Sequence, residues 1–261
     1  MQEGLRDLVS CRDDLRCART AARQRIGKQL LRYGRIFREG RGHWTQRHGV
    51  WLRAQRLDDP LAQTALEHTL CHLGALDAQL LAIDAQLDEI AREEPWREAV
   101  EALTCFRGIS TLTALSLLAE VNYFHRFASA RELMSFLGLT VSEYSSGARR
   151  TRGSITKTGN RHARRLLVEA ALHYQHPPLL SARIRAHEGR VAPEALARAW
   201  QAQIRLHHRH RHLTGRGKPA TVATIAVARE LCGVLWATMT DQPVRADRPE
   251  ERRPSKEVLV A

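Results

Sequence analysis

The sequence predicts an all-α protein in which a long antiparallel coiled-coil hairpin precedes a helical domain carrying a helix-hairpin-helix-like element and an ordered Ser/Gly/Arg-rich loop. Three observations point there. Residues 5–37 contain no proline and are rich in Arg, Leu, Ala and Gln, residues that lose little freedom in a helix. Leu66, Leu73, Leu80 and Leu87 repeat every seven residues, with Leu76, Ile83 and Ile90 three further on, the double row of a helix that lies along a partner helix. Beyond residue 95, Pro and Gly divide the apolar segments into pieces of helical length.

The first element is one long basic helix from Leu5 to about Phe37, broken by Gly40, Gly42 and Gly49. The second runs from Pro60 to Glu94, its double row interrupted only by Thr69. The nearest partner for that row is the preceding helix, folded back through the loop around Trp44 and Trp51. A second copy of the chain fits the same stripe, so hairpin and dimer both stand. Pro95 closes the arm. Residues 96–121 read as two short helices parted by Arg107-Gly108-Ile109-Ser110. This is either a helix-hairpin-helix, whose glycine turn offers N–H groups to a phosphate, or a plain helical hairpin with Gly108 as C-cap.

Ser129 and Glu132 form a capping box that opens a helix to about Phe136, stopped at Gly138. Residues 140–160 lack helical periodicity and read as an ordered loop or short hairpin. Helices are expected again over 161–176, 178–187, 193–208 and 219–239, the last apolar on most faces and therefore a core helix. From residue 241 onward Pro, Arg and Glu dominate, a composition expected to be disordered. The domain plan is thus a coiled-coil arm over 1–95, a C-terminal domain over 96–240 and a tail over 241–261.

Forty-one Lys and Arg face twenty-eight Asp and Glu, a net charge of +13 and a pI near 10.5. Such an excess selects a polyanion, and clustered cations gain affinity for nucleic acid by releasing counterions from its phosphates. No signal peptide, lipid-type anchor or apolar stretch long enough to cross a bilayer is read, so the expected partner is not a membrane and the expected location is the cytoplasm. The five cysteines, at 11, 17, 71, 105 and 232, are odd in number and form no CxxC pair, which argues against a zinc ribbon and a disulfide framework. His68, Cys71 and His72 share a helical neighbourhood, but the local sequence offers no fourth ligand, so ordinary helix packing is preferred and no metal ligand is assigned.

The segment with the most chemistry is residues 138–165. Between Gly147 and Arg165 stand seven Lys or Arg and no acid. Ser145 and Ser146 precede Gly147, where the backbone can turn tightly and a phosphodiester can approach. A serine hydroxyl is a weak nucleophile that needs activation, and cations such as Arg149, Arg150 and Arg152 can stabilise charge on the phosphoryl oxygens. On spacing alone, the same residues also fit a phosphate-binding or solvated loop. Lys157, Asn160, Arg161, Arg164 and Arg165 suit phosphate binding at a helix N-terminus, or a solvated face with Asn160 as N-cap. Tyr144 and Glu143 read as packing and surface residues. The run from Arg205 to His212 fits either a nucleic-acid contact or a charged helix end.

GISTLTALSLLAEV, FASARELMSFLGL and SEYSSGARRTRGSITKTGNRHARRLLVEAA, all within residues 106–171, resemble the C-terminal transposase domain of the insertion-sequence 110/116/902 group. The arm from RDLVSCRDDLRCARTAARQRI onward resembles that family's linker. The resemblance implies that Ser146 is the nucleophile that becomes joined to DNA, with Ser145 as fallback; Gly108, Ser110 and the basic residues named above remain, on the local readings already given, the candidate contacts to DNA or RNA. It further implies an N-terminal RNase H-like domain whose four acids hold Mg2+. Those residues are not read in this sequence, so no cofactor is expected within the chain and Mg2+ only together with that domain. DNA, a structured guide RNA, and either a second copy or a full-length transposase through the coiled arm are the implied partners, in a bacterial, nucleoid-associated setting. Ala148 stands where the family often has a second glycine. Alone, such a chain is expected to be inactive. Its competing reading is a non-catalytic nucleic-acid-binding remnant or regulator, and a purely structural coiled coil comes third.

Overall fold

A computed structural model describes residues 2–40, 42–146 and 149–241, with the backbone alone at 144–146 and 149–152. Among the described residues the fold is all-α apart from one two-stranded sheet. The described residues form two compact units. One comprises those up to Thr104 together with Ile109–Asn122; the other comprises Cys105–Gly108 and those from Tyr123 on.

The first unit contains α1 (Gln2–Arg32), α2 (Gln46–Ala54), α3 (Pro60–Ile90), α4 (Arg97–Thr104) and α5 (Thr111–Val121). Helices α1 and α3 lie antiparallel, because partners on one descend as those on the other rise: Arg12 with Asp84, Arg19 with Asp77, and Gln29 with Ala62. Asp59 caps α3 through its carboxylate and Pro60 occupies the first turn, where a missing N–H costs nothing. Leu66, Leu73, Leu76, Leu80 and Leu87 are buried, whereas Ile83 and Ile90 are only partly so. From α1, Ala22, Ile26 and Leu30 join Leu66, Leu73 and Leu76 in one cluster. Fully burying a leucine side chain contributes about 1.5–3 kcal/mol, so this row outweighs the exposed ion pairs beside it.

The glycines at 40, 42 and 49 predict an irregular turn, yet the structure places α2 there with Gly49 inside it. Tertiary packing overrides propensity. The Thr45 hydroxyl accepts from the His48 N–H, and the His48 ring, 4% exposed, packs among Phe37, Trp44 and Trp51. The Trp44 N–H donates to His48 Nδ1 at 3.1 Å, which requires that nitrogen to be unprotonated. Burial, and then the neighbouring His43, lower the His48 pKa from 6.5. Burial also lowers those of His173 and His210. A histidine depressed in the folded state contributes stability above its unfolded value of 6.5 that is lost as the pH falls through the folded value. Stability followed by denaturant titration should therefore decline from pH 7.5 to pH 5. His48→Asn, which keeps an acceptor but cannot titrate, should make that decline shallower; an unchanged slope would remove His48 from the account.

The second unit contains α6 (Ala130–Phe136), β1 (Val141–Ser146), β2 (Arg149–Ile155), α7 (Arg161–Leu172), α8 (Ala182–Arg185), α9 (Pro193–Gly215) and α10 (Ala220–Met239). Its core is α10 packed against α6, α7 and α9, with Ala223, Val227, Leu231 and Leu235 among its buried residues. Trp236 Nε1 donates to the Phe127 carbonyl, and Arg198 donates to that of Ala237 near the end of α10. Among the described residues α10 alone is long and apolar enough to cross a membrane by length and composition. The expectation that no such stretch exists therefore fails on length. The packing of α10 on three neighbours gives it the role of a core helix.

Helix boundaries also differ, α1 ending at Arg32 rather than near Phe37 and α7 at Leu172 rather than His176. The helix expected over 178–187 shrinks to the four residues of α8, because Pro177, Pro178 and the chain to Ser181 are non-helical and the Ser181 hydroxyl starts the turn. That strap is held from outside: Gln203 Oε1 accepts from the Leu179 N–H, and Arg107 donates to the Pro177 carbonyl. Helix α9 continues past His208 to Gly215, with His207 and His210 buried on it. The tail assigned to residues 241–261 lies outside the described residues beyond Asp241.

Candidate nucleic-acid interface

The Ser/Gly/Arg-rich segment is a β-hairpin rising from a seam between α6 and α7. Helix α6 starts at its expected cap, the Ser129 hydroxyl accepting from the Glu132 N–H, while the Glu132 carboxylate reaches past the cap to accept from the Ala128 N–H. It stops in a Schellman turn: Gly138, at φ +64°, donates to Ser135, and Leu139 donates to Met134. The returning strand is laced to this end. Thr156 N–H bonds Thr140, Lys157 N–H bonds Gly138, and Asn160 N–H bonds Phe136. A Cβ at Gly138 or Gly159 would collide with the carbonyl oxygen of Thr158 or Phe136 respectively. Both glycines also hold positive φ, so the close approach and the turns demand glycine at once.

In the hairpin, Ser146 pairs with Arg149, Ser145 with Arg150, Tyr144 with Thr151 and Glu143 with Arg152. The antiparallel register thus sets each candidate serine opposite an arginine. Between Val141 and Glu143 the register slips, and Ser142 Oγ donates to the Ser154 carbonyl at that point. Such a bulge bends a hairpin and strengthens its twist. Gly147 and Ala148 lie outside the described residues, as do the side chains of Tyr144, Ser145, Ser146, Arg149, Arg150 and Arg152.

At the hairpin's base, four of the sequence-identified residues converge on the start of α7. Asn160 Oδ1 accepts from the Ala163 N–H as N-cap. Lys157 and Arg161 are exposed, Lys157 at φ +59°. Arg164 instead turns towards α6, where its guanidinium donates to the Leu137 carbonyl at 2.7 Å and ties the two helices together. Arg165 lies further along and pairs with Glu169 at 3.0 Å. The helix dipole adds partial positive charge at the same end.

Gly108 belongs elsewhere. At φ +85°, it packs against Ala170 and His173 at the far end of α7, about 18 Å of helix from its start. Burial, then Arg107, lowers the pKa of that His173. Ser110 caps α5 in the other unit, its hydroxyl accepting from the Thr113 N–H. The basic run on α9 is partly committed to the fold: Arg205 and Arg209 both bind Glu230, and His207 Nδ1 meets the Tyr174 carbonyl. His208, Arg211 and His212 are exposed. His68, Cys71 and His72 are exposed rather than packed. Among the described residues no group of three or more His, Cys, Asp or Glu could hold a metal ion.

Residues 100–185, which include this hairpin and all of α7, match the transposase IS116/IS110/IS902 family. That stretch resembles a domain of that family. The similarity extends well beyond the domain. A putative transposase of Sinorhizobium fredii is 36% identical over 235 residues, covering 90% of this chain and 57% of the relative. The transposase for insertion sequence element IS1533 of Leptospira borgpetersenii is 32% identical over 218 residues, covering 83% and 63%. That for IS1111A of Coxiella burnetii is 28% identical over 171 residues, covering 65% and 46%. The chain spans roughly three fifths of the length of the first two relatives.

Sequence reasoning missed the seam. Its signal was present in Gly138 and Gly159, each beside a helix end, with Arg164 one turn into α7.

Proposed function

We propose that this chain acts in DNA transposition, engaging the DNA backbone through the β1–β2 hairpin and the start of α7, with Ser146 attacking a phosphodiester. The observation that carries the reading is the register of the hairpin, which pairs Ser145 and Ser146 with Arg150 and Arg149 inside the stretch that matches the transposase family. In the step proposed, Ser146 Oγ bonds to phosphorus, the strand oxygen it displaces leaves with a proton, and the phosphodiester bond energy is kept in the serine ester. The opposing arginines would carry the negative charge that grows on the phosphoryl oxygens. Lys157 and Arg161 would grip flanking phosphates, which fixes register on the duplex without reading its sequence. Gly108 and Ser110 would offer a further backbone contact of the helix-hairpin-helix type. Targeting by a structured guide RNA, Mg2+ held by a separate RNase H-like domain, and association through the arm over residues 1–95 belong to the same proposal. All three follow from the family resemblance.

The test is binding of a fluorescent DNA duplex to the chain across a salt series. Affinity should fall steeply with salt, and the double variant Lys157→Glu/Arg161→Glu should lower it by about a hundredfold and reduce the slope of log affinity against log salt by about 2. An unaltered slope would place the DNA contact elsewhere. A non-catalytic regulator would bind in the same way, and formation of a serine–DNA adduct separates the two readings.

A further inference from the structure

The turn between α1 and α3 is a built structure with a charge of its own. Between Asp14 and Asp58 the sequence holds twelve Lys or Arg against the single acid Glu39. Arg25, Lys28, Arg32, Arg38 and Arg53 are exposed and make no ion pair among the described residues. Arg35 even donates to the carbonyl of Arg56, drawing two cations together. Rings are interleaved with these charges, as Tyr33 and His43 are exposed and Trp44 and Trp51 half-buried.

Within this turn an open groove of about 450 Å3 is lined by Arg23, Trp44, Gly49, Arg53, Gly74 and Asp77, with Leu73 among the apolar residues beneath; Asp77 pairs with Arg23 at 3.9 Å, which leaves Arg53 as the groove's exposed cation without an ion pair among the described residues. That volume lies within the range of ligand sites, roughly 300–1,000 Å3. Neither glycine places a side chain in the space: a Cβ at Gly74 would meet nothing within 4 Å, and one at Gly49 would meet only the Arg53 guanidinium, at 3.6 Å. Trp44 is held at φ +65°, a conformation that non-glycine residues adopt rarely. It is fixed there by its bond to the buried His48, while the Arg23 guanidinium covers one face of the indole at 5.0 Å. An aromatic ring locked beside two guanidinium groups is the combination that binds an unpaired base and its phosphate.

We infer that this groove binds single-stranded polynucleotide, one base stacking at Trp44 and the adjoining phosphate lying on Arg53, with the exposed cations of α1 tracking the strand. A duplex keeps its bases stacked inside and cannot offer one to Trp44. A second copy of the same tip would bring like charge to like charge. The inference does not depend on the serine mechanism or on the β1–β2 hairpin.

The experiment uses the full chain with a fluorescent single-stranded oligonucleotide, a duplex of the same sequence, and a single strand carrying 5-iodouracil for photocrosslinking. Arg53→Glu, a change at an exposed side chain, should weaken single-strand binding at least tenfold and leave duplex binding unchanged. Trp44→Ala should lower single-strand affinity about tenfold and remove the crosslink, which is expected on the peptide containing Trp44. Lys157→Glu/Arg161→Glu should show the converse pattern, weakening duplex and sparing single strand. If Arg53→Glu leaves single-strand affinity intact, or crosslinks fall only within residues 141–165, the groove is not a strand site, and duplex binding still reports separately on the β1–β2 hairpin. Self-association of the chain abolished by Arg53→Glu, with no single-strand binding, would likewise overturn the inference in favour of a second copy.

Discussion

Ser146→Ala is expected to abolish the covalent DNA–protein adduct while leaving duplex affinity within about twofold. The adduct would be measured on denaturing gels with labelled DNA and an RNase H-like domain supplied in trans, as the family resemblance implies. The expectation follows from chemistry: an alanine has no oxygen to bond to phosphorus, and neighbouring cations hold a phosphate without replacing the nucleophile. Removing a nucleophile that acts covalently costs orders of magnitude in rate, whereas binding rests on the cations. Ser145→Ala separates the two adjacent hydroxyls. Because Ser145 and Ser146 pair with different arginines, Arg150 and Arg149, they stand at successive positions along the strand, and only one is expected to be in line with the scissile bond. Retention of adduct in Ser146→Ala and its loss in Ser145→Ala would move the nucleophile by one residue. Retention in both would end the serine mechanism while leaving the binding reading in place.

What the sequence displayed was periodic. The leucine row of α3 needs only a count of seven, and Leu66, Leu73, Leu80 and Leu87 are all buried. The capping box at Ser129 and the cap at Asn160 are local chemistry, visible because each side chain bonds a backbone group three residues on. What stayed hidden depends on contacts between distant residues. Helix α2 forms with Gly49 inside it where a loop is expected, because His48 is packed between Phe37 and Trp51. Arg164 carries the same charge as Arg161 in the sequence, but its reach to Leu137 becomes visible only when α6 and α7 are adjacent. The hairpin register was equally out of reach, since a slip such as the one between Val141 and Glu143 has no signature in a run of serines and arginines.

Gly159→Ala should be more damaging than Gly189→Ala or Gly153→Ala, costing about 3 kcal/mol of stability. A residue at positive φ loses about 1–2 kcal/mol when a Cβ is added, and φ here is +99°. That Cβ would also overlap the Phe136 carbonyl oxygen, which cannot move aside because the Asn160 N–H is bonded to it at 3.0 Å; forced overlap of this kind adds about 1–3 kcal/mol. Two other glycines isolate the terms. Gly189 holds φ +76° with nothing within 4 Å of its would-be Cβ, so Gly189→Ala should show the conformational cost alone, about 1 kcal/mol. Gly153 has no positive φ and would meet the Ser142 hydroxyl at 2.5 Å, a side chain that can rotate away at the expense of its bond to Ser154. Gly153→Ala should therefore cost less than Gly159→Ala. Denaturant titration of the three variants ranks them. If Gly159→Ala is no worse than Gly189→Ala, the two chains at the seam are not in backbone contact, and the hairpin is not anchored between α6 and α7 as described. If the predicted order holds, the base beneath Ser146 depends on the close approach of Gly159 to the Phe136 carbonyl. Hydrogen exchange should then show the N–H groups of Thr156, Lys157 and Asn160 losing protection in Gly159→Ala before the core of α10 does, because the seam opens locally while the apolar packing of α10 persists.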